Sequence, residues 1–323
     1  MKKFLTVLIL LLLAAAVIGY FIYPTISDQL GRRRDAEIMT AYREKTAALD
    51  AEGKAELFEQ AKAWNDSLEK VHTEDVFTAG TIRTTRDYQN RMNVHDGVIG
   101  ELVIPAIRLS LPIWHLSTET PATRKLVHVD TSSLPADGSG ENIILAGPGI
   151  LQAEGLLGEM GLTDERMLED LDSMIPGTLI ILNVTDRTLV YRVSGIQMLS
   201  AAGLKEMDLT PGEGEERLTI ISPRKDRRLM VQAERIPVRE ARTLLAEEDQ
   251  AAFPENWKNV LFLGCPVMIA GLLVLLAIEL IRGRIYRLPG ERMPEDGEQQ
   301  EITEEKKETT EKNPDRIEEV EEQ

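Results

Sequence analysis

Cysteine is almost missing from this chain: Cys265 is the single one among 323 residues. An intramolecular disulfide framework and a multi-cysteine zinc site are therefore both excluded. Histidine is scarce too, and His72, His95 and His115 lie in different segments without metal-ligand spacing, so no metal or cofactor is expected. Positive charge is in deficit, with 37 Lys and Arg against 54 Asp and Glu and a net charge of −17. Nucleic acid, which needs a basic footprint, is not an expected partner.

Two long apolar runs are present. Phe4 to Tyr23 supplies about the 20 apolar residues that a helix needs to cross roughly 30 Å of hydrocarbon. It ends in bulky Tyr20, Phe21, Ile22 and Tyr23, which reads as a retained span and not as a cleaved signal peptide. Val260 to Ile281 is the second run, followed by Arg282, Arg284 and Arg287. These arginines, with Lys2 and Lys3, predict a cell-membrane protein with both termini cytoplasmic and its main domain outside; Arg32, Arg33 and Arg34 run against that bias. Pro266 near the outer end of the second run, and Glu279 near its inner end, are compatible with a span, and Cys265 reads as a small apolar filler. The Glu-rich stretch after Pro289 has too few apolar residues for a core and reads as a disordered tail.

Between the runs, residues 27–71 carry apolar side chains at helical spacing, among them Ile38, Tyr42, Phe58 and Trp64. Two helices with a break near Asp50 to Gly53 are expected. From Gly97 the pattern changes to eight short runs rich in β-branched residues, from VIGELVIP to RLMVQAERIP, separated by turn residues. Many short strands predict a β-barrel or sandwich. A helix is expected at Thr163 to Met174, with a turn at Pro176-Gly177.

Several segments, in order, resemble class C sortases, which link pilin subunits. Tyr23-Pro24-Thr25-Ile26-Ser27 and Ala63-Trp64-Asn65-Asp66-Ser67-Leu68 are similar to that class's YPxxS stretch and A-aromatic-N-x-x-L helix. Gly100 to Pro105, Leu111 to His115, His128 with Thr131 to Pro135, and Asp170-Leu171-Asp172 with Pro176-Gly177 resemble its later segments. The resemblance implies a mainly β fold: a sortase-like β-barrel with an N-terminal helical extension, flanked by two transmembrane helices. The expected division is an N-terminal anchor at 1–23, a helical extension with a lid-like segment at 24–96, the barrel at 97–240, a linker at 241–258, a second transmembrane helix at 259–281 and an acidic cytoplasmic tail at 282–323.

A sortase needs a cysteine nucleophile, a proton donor for the leaving amine and an oxyanion stabiliser. Matched to the family, the histidine position is held by Pro148 and the cysteine position by Ser222 or Pro223, while the arginine is kept as Arg228. The loop from Arg224 to Arg227 is shorter than the family's, which puts the direction of Arg228 in question. Ser222 reads as an ordinary strand-end hydroxyl; the alternative is a nucleophile served by His128. Asp75-Val76-Phe77 stands where class C enzymes carry a D-P-F/W lid, with Asp75 and Phe77 kept. A plain linker is the alternative there.

The function this implies is a non-catalytic sortase homologue, an accessory factor binding pilin or surface-protein sorting signals or an active sortase. The alternatives are an active transpeptidase with an unrecognised nucleophile, and a membrane scaffold or signalling protein working through its acidic tail.

Overall fold

The computed structural model describes residues 2–72, 75–78, 84–136, 140–151, 165–212, 214–251, 268 and 271–278. The chain divides into two compact units, Met1–Val17 with Val267–Gln323, and Ile18–Pro266. The second unit holds the barrel and the site.

Helix α1 (Lys2–Ala48) is followed by α2 (Ala51–Asp66), and the expected break falls between them. Its cause is local: the Asp50 side chain accepts a hydrogen bond from the Gly53 N–H at 2.8 Å and caps α2. A third helix, α3 (Arg86–Asn90), is capped in the same way by Thr85, whose hydroxyl accepts from the Tyr88 N–H at 3.2 Å.

Eight strands close a barrel, one for each apolar run: β1 (Val98–Ile104), β2 (Leu109–His115), β3 (Val127–His128), β4 (Glu141–Ala146), β7 (Leu179–Val184), β8 (Arg187–Ser200), β9 (Glu216–Arg224) and β10 (Arg227–Ile236). Their order is β1-β2-β3-β4-β9-β10-β8-β7, and β7 pairs back on β1 with Leu182 opposite Leu102. β2 runs parallel to β3 and β4 parallel to β9; the remaining pairs are antiparallel. A separate ribbon joins β5 (Ile150–Leu151) to β6 (Glu165–Arg166).

Strand β4 shows why these runs are apolar throughout. Ile143 and Leu145 face a core that includes Leu102, Leu182 and Leu218, together with Phe58 and Ala61 of α2. Ile144 and Ala146 face a second core with Met39 and Tyr42 of α1, Trp114 and Met230. With the strand covered on both faces, its period-two alternation is hidden. Each such aliphatic side chain contributes about 1.5–3 kcal/mol on full burial. The Tyr42 hydroxyl fixes α1 on the barrel by donating to the Ile99 carbonyl and accepting from the Thr185 N–H at 3.0 Å.

Two expectations are corrected. Among the described residues no helix is long and apolar enough to cross a membrane, which overturns the two flanking transmembrane helices and with them the membrane as a partner through two spans. The first apolar run belongs to α1, which goes on past Arg32, Arg33 and Arg34 to Ala48. Of the second run the structure describes 268 and 271–278. Cys265, Pro266, Glu279 and the expected tail at 282–323 lie outside the described residues. The helix expected from Thr163 to Met174 is instead strand β6 and a 3-10 turn at Glu169–Ser173, residues 163 and 164 lying outside the described residues. Pairing of β6 with β5 takes up the first of those residues.

Candidate functional site

β9 and β10 form a hairpin in which Arg224 pairs with Arg227, leaving Lys225 and Asp226 as a two-residue turn with Lys225 at φ 52°. In that register Ser222 lies opposite Leu229 and Pro223 opposite Arg228. β4 lies on the other side of β9, and just past its end the Gly147 N–H donates to the Ile221 carbonyl at 3.1 Å. The hairpin and the end of β4 thus bring Pro148, Pro223 and Arg228 to one cavity of about 1260 Å³, which Phe77 also lines. Ser222 is fully buried.

Arg224 ties this corner together. Its Nη1 donates to Ser222 Oγ and to the Pro223 carbonyl, both at 2.9 Å, and its Nε to Asp172 Oδ2 at 2.8 Å. Its Nη2 donates to the carbonyls of Leu168 at 2.7 Å and Glu169 at 3.0 Å. The guanidinium comes so near the strand end that a Cβ at Gly149 would lie 2.6 Å from Nη1, so a larger residue there would have to displace Arg224 from its acceptors. Nothing in the sequence marked Arg224, because an arginine beside a hairpin turn reads as solvated.

The surviving Arg228 is held by the lid-like segment. Its Nε and Nη2 donate to Asp75 Oδ1 at 3.0 Å and Oδ2 at 2.8 Å, and its guanidinium carbon stands 5.4 Å from the Phe77 ring centre. The two side chains are only 12% and 6% exposed. Burial alone would raise the Asp75 carboxyl, but hydrogen bonds from Arg228 and Thr78 outweigh it and hold the group below its usual value.

His128 is fully buried on β3. Its Nε2 donates to the Ser133 carbonyl at 2.8 Å and its Nδ1 lies 2.9 Å from the Tyr88 hydroxyl. Burial pushes its pKa from 6.5 down to about 3. Both nitrogens are thus engaged within the core, while the Ser222 hydroxyl faces a guanidinium. Because the unfolded chain binds the His128 proton more readily, stability should fall as pH is lowered from about 6.5 toward 3. Thermal melts across that window check this, and a profile flat over the whole window would refute it.

His115 sits between the carbonyls of Gly97 at 3.1 Å and Arg91 at 2.8 Å, and burial lowers its pKa. His72 lies 3.4 Å from the Lys70 carbonyl, and His95 stands 3.6 Å from Asp96. Among the described residues no cluster of His, Cys, Asp or Glu has the grouping to hold a metal ion.

The family model described as a sortase domain matches residues 102–236. Over that stretch the chain is similar to a sortase domain. Its fold is shared with solved class C sortases: Streptococcus agalactiae sortase C1 at 22% identity and a TM-score of 0.50, covering 62% of this chain and 97% of that one, and Streptococcus pneumoniae sortase C at 23% identity and 0.51, with the same coverage. A second Streptococcus pneumoniae structure, sortase C-1, matches at 22% identity and 0.52, covering 62% and 97%. No curated protein sequence matches the chain. The cavity described above, with Arg224 across one corner and the Asp75 segment on Arg228, is lined by the region that matches the sortase model and by segments packed on it.

Proposed function

We propose that this sortase-family protein is a non-catalytic binder: an accessory factor of pilus or surface-protein assembly that holds a sorting-signal peptide, a pilin or an active sortase without cleaving it. Arg224 carries the reading. It lies across the corner where, by resemblance, the family keeps its cysteine and histidine, and where this chain has Ser222, Pro223 and Pro148. A thioester route needs a thiolate and a proton donor, and proline offers neither. The Ser222 hydroxyl accepts a hydrogen bond from a guanidinium, which is always charged and cannot take its proton. The kind of partner is supported by similar structures, one described in terms of pilin substrate specificity and another as pilus-related.

The protein should neither cleave sorting-signal peptides nor form a covalent adduct with them, while retaining non-covalent binding. Intact-mass spectrometry after incubation with such peptides is the test, and an acyl-Ser222 species would overturn the proposal. The domain is proposed to stand outside the cytoplasm. An epitope inserted at Asp186, in the exposed β7–β8 turn, should then be reached by antibody on intact cells. Access only after lysis would count against that location.

A further inference from the structure

The cavity is basic in an acidic chain. Nine Lys and Arg line it against four Asp and Glu, although the whole chain carries a net charge of −17. Two of those four carboxylates are already matched. Arg34 holds both oxygens of Glu165 at 2.7 and 2.8 Å, and Arg43 holds Glu101 at 2.7 Å.

Three of the cations are left without a side-chain partner among the described residues: Arg32, Arg108 and Lys225. All are exposed, and they come from α1, the turn after β1 and the β9–β10 hairpin, three separate elements bordering one cavity. A fourth cation lies deeper. Lys125 Nζ stands 3.2 Å above the centre of the Trp114 ring, and burial lowers its pKa. The carboxylate acting on it is Asp35, whose own pKa burial pushes up to about 6.

The cavity wall is not cationic throughout. Ile38, Met39, Ile107, Trp114 and Met167 give it an apolar lining. That combination discriminates between anions. A polyphosphate would gain from the charges but nothing from the apolar lining. A membrane surface is flat and cannot enter a concavity. An extended peptide bearing both carboxylate and apolar side chains satisfies both parts of the site.

We propose that the groove between α1 and the barrel binds an acidic, apolar-containing peptide segment of a partner protein, whose carboxylates are met by Arg32, Arg108, Lys225 and Lys125. This rests on the peptide-binding reading above and adds the chemistry of the peptide.

Calorimetric titration of the full chain with a short glutamate–leucine peptide, its glutamine–leucine counterpart and inorganic polyphosphate tests it. The glutamate peptide should bind about tenfold or more tighter than the glutamine one at low salt, and the advantage should shrink as salt is raised. The triple variant Arg32→Gln, Arg108→Asn, Lys225→Asn should lose most of that preference. Asparagine tolerates the left-handed backbone that residues 108 and 225 adopt at φ 52°, and all three side chains are exposed. The variant's melting temperature should therefore stay unchanged, separating loss of binding from loss of folding.

Equal affinity for the glutamate and glutamine peptides would overturn the acidic preference while leaving peptide binding in place. Tighter binding of polyphosphate than of the glutamate peptide would overturn the choice of a peptide, and no binding of any probe would overturn both. The absence of a covalent adduct is measured independently of all three outcomes.

Discussion

Arg224→Met should lower the unfolding free energy by about 3–5 kcal/mol, since hydrogen bonds to charged groups contribute about 1.5–3 kcal/mol each without simple additivity. Methionine keeps the length of the side chain and part of its packing. It removes the guanidinium donors that reach Ser222 Oγ and the carbonyls of Leu168, Glu169 and Pro223. Of these, Ser222 is fully buried and can recruit no water without rearrangement. The Asp172 bond adds less, because that carboxylate is 54% exposed and water replaces its partner. Arg224→Lys should fall between the two, as an ammonium cannot span five acceptors in the plane of a guanidinium. Denaturant unfolding measures the loss, and a change below about 1 kcal/mol would show that the corner is held by other means.

The second large effect is on the lid-like segment. Asp75→Ala leaves Arg228 without its bidentate partner, and removing one member of a buried pair costs about 3–5 kcal/mol. Here the cost falls on the closed segment, because the Asp75–Arg228 pair ties residues 75–78 to β10, beside the packing of Val76 and Phe77 on the second core. Peptide then competes with a weaker tethered occupant, so affinity should rise about tenfold or more. Phe77→Ala should act in the same direction and more weakly, since it leaves the ion pair in place. Acid should reproduce the release. The Asp75 pKa is depressed below 3.8, so the latch is fully present above that value and is lost as pH falls through the lower, folded-state value. Amide hydrogen exchange at residues 75–78 is the readout. Unchanged exchange in Asp75→Ala would mean that Arg228 does not hold the segment.

The barrel was legible because each of its strands is a short apolar run ended by turn residues, and the α1–α2 break because Asp50 is a good capping residue placed before a helical pattern. The ribbon β5–β6 was not legible, since two-residue strands are too short to show a period. Hydropathy misled at the two apolar runs, where length and apolarity alone suggested spans that no described helix supplies. At the site, the matches for Pro148, Pro223 and Arg228 follow from the order of segments, and the structure brings all three to one cavity. What Arg228 touches could not be read from spacing, because its partner lies 153 residues away. Arg224 escaped for a related reason: its acceptors are mostly backbone carbonyls, which no side-chain pattern advertises.

Every barrel strand already has a neighbour on each side, with β7 returning to β1. The ring is nevertheless thin at β3, which meets β2 only at Trp114 and His115, so among the described residues Leu109 to Ile113 of β2 pair with β1 alone, and Leu109 to Pro112 border the cavity. The ribbon β5–β6 is a second short edge beside the cavity, outside the closed circle, and its Ile150, Leu151, Glu165 and Arg166 all border the groove. Main-chain groups open to an extended ligand in this groove would be those of two short edges, β2 and the ribbon, and choice among ligands would fall to the side chains around them.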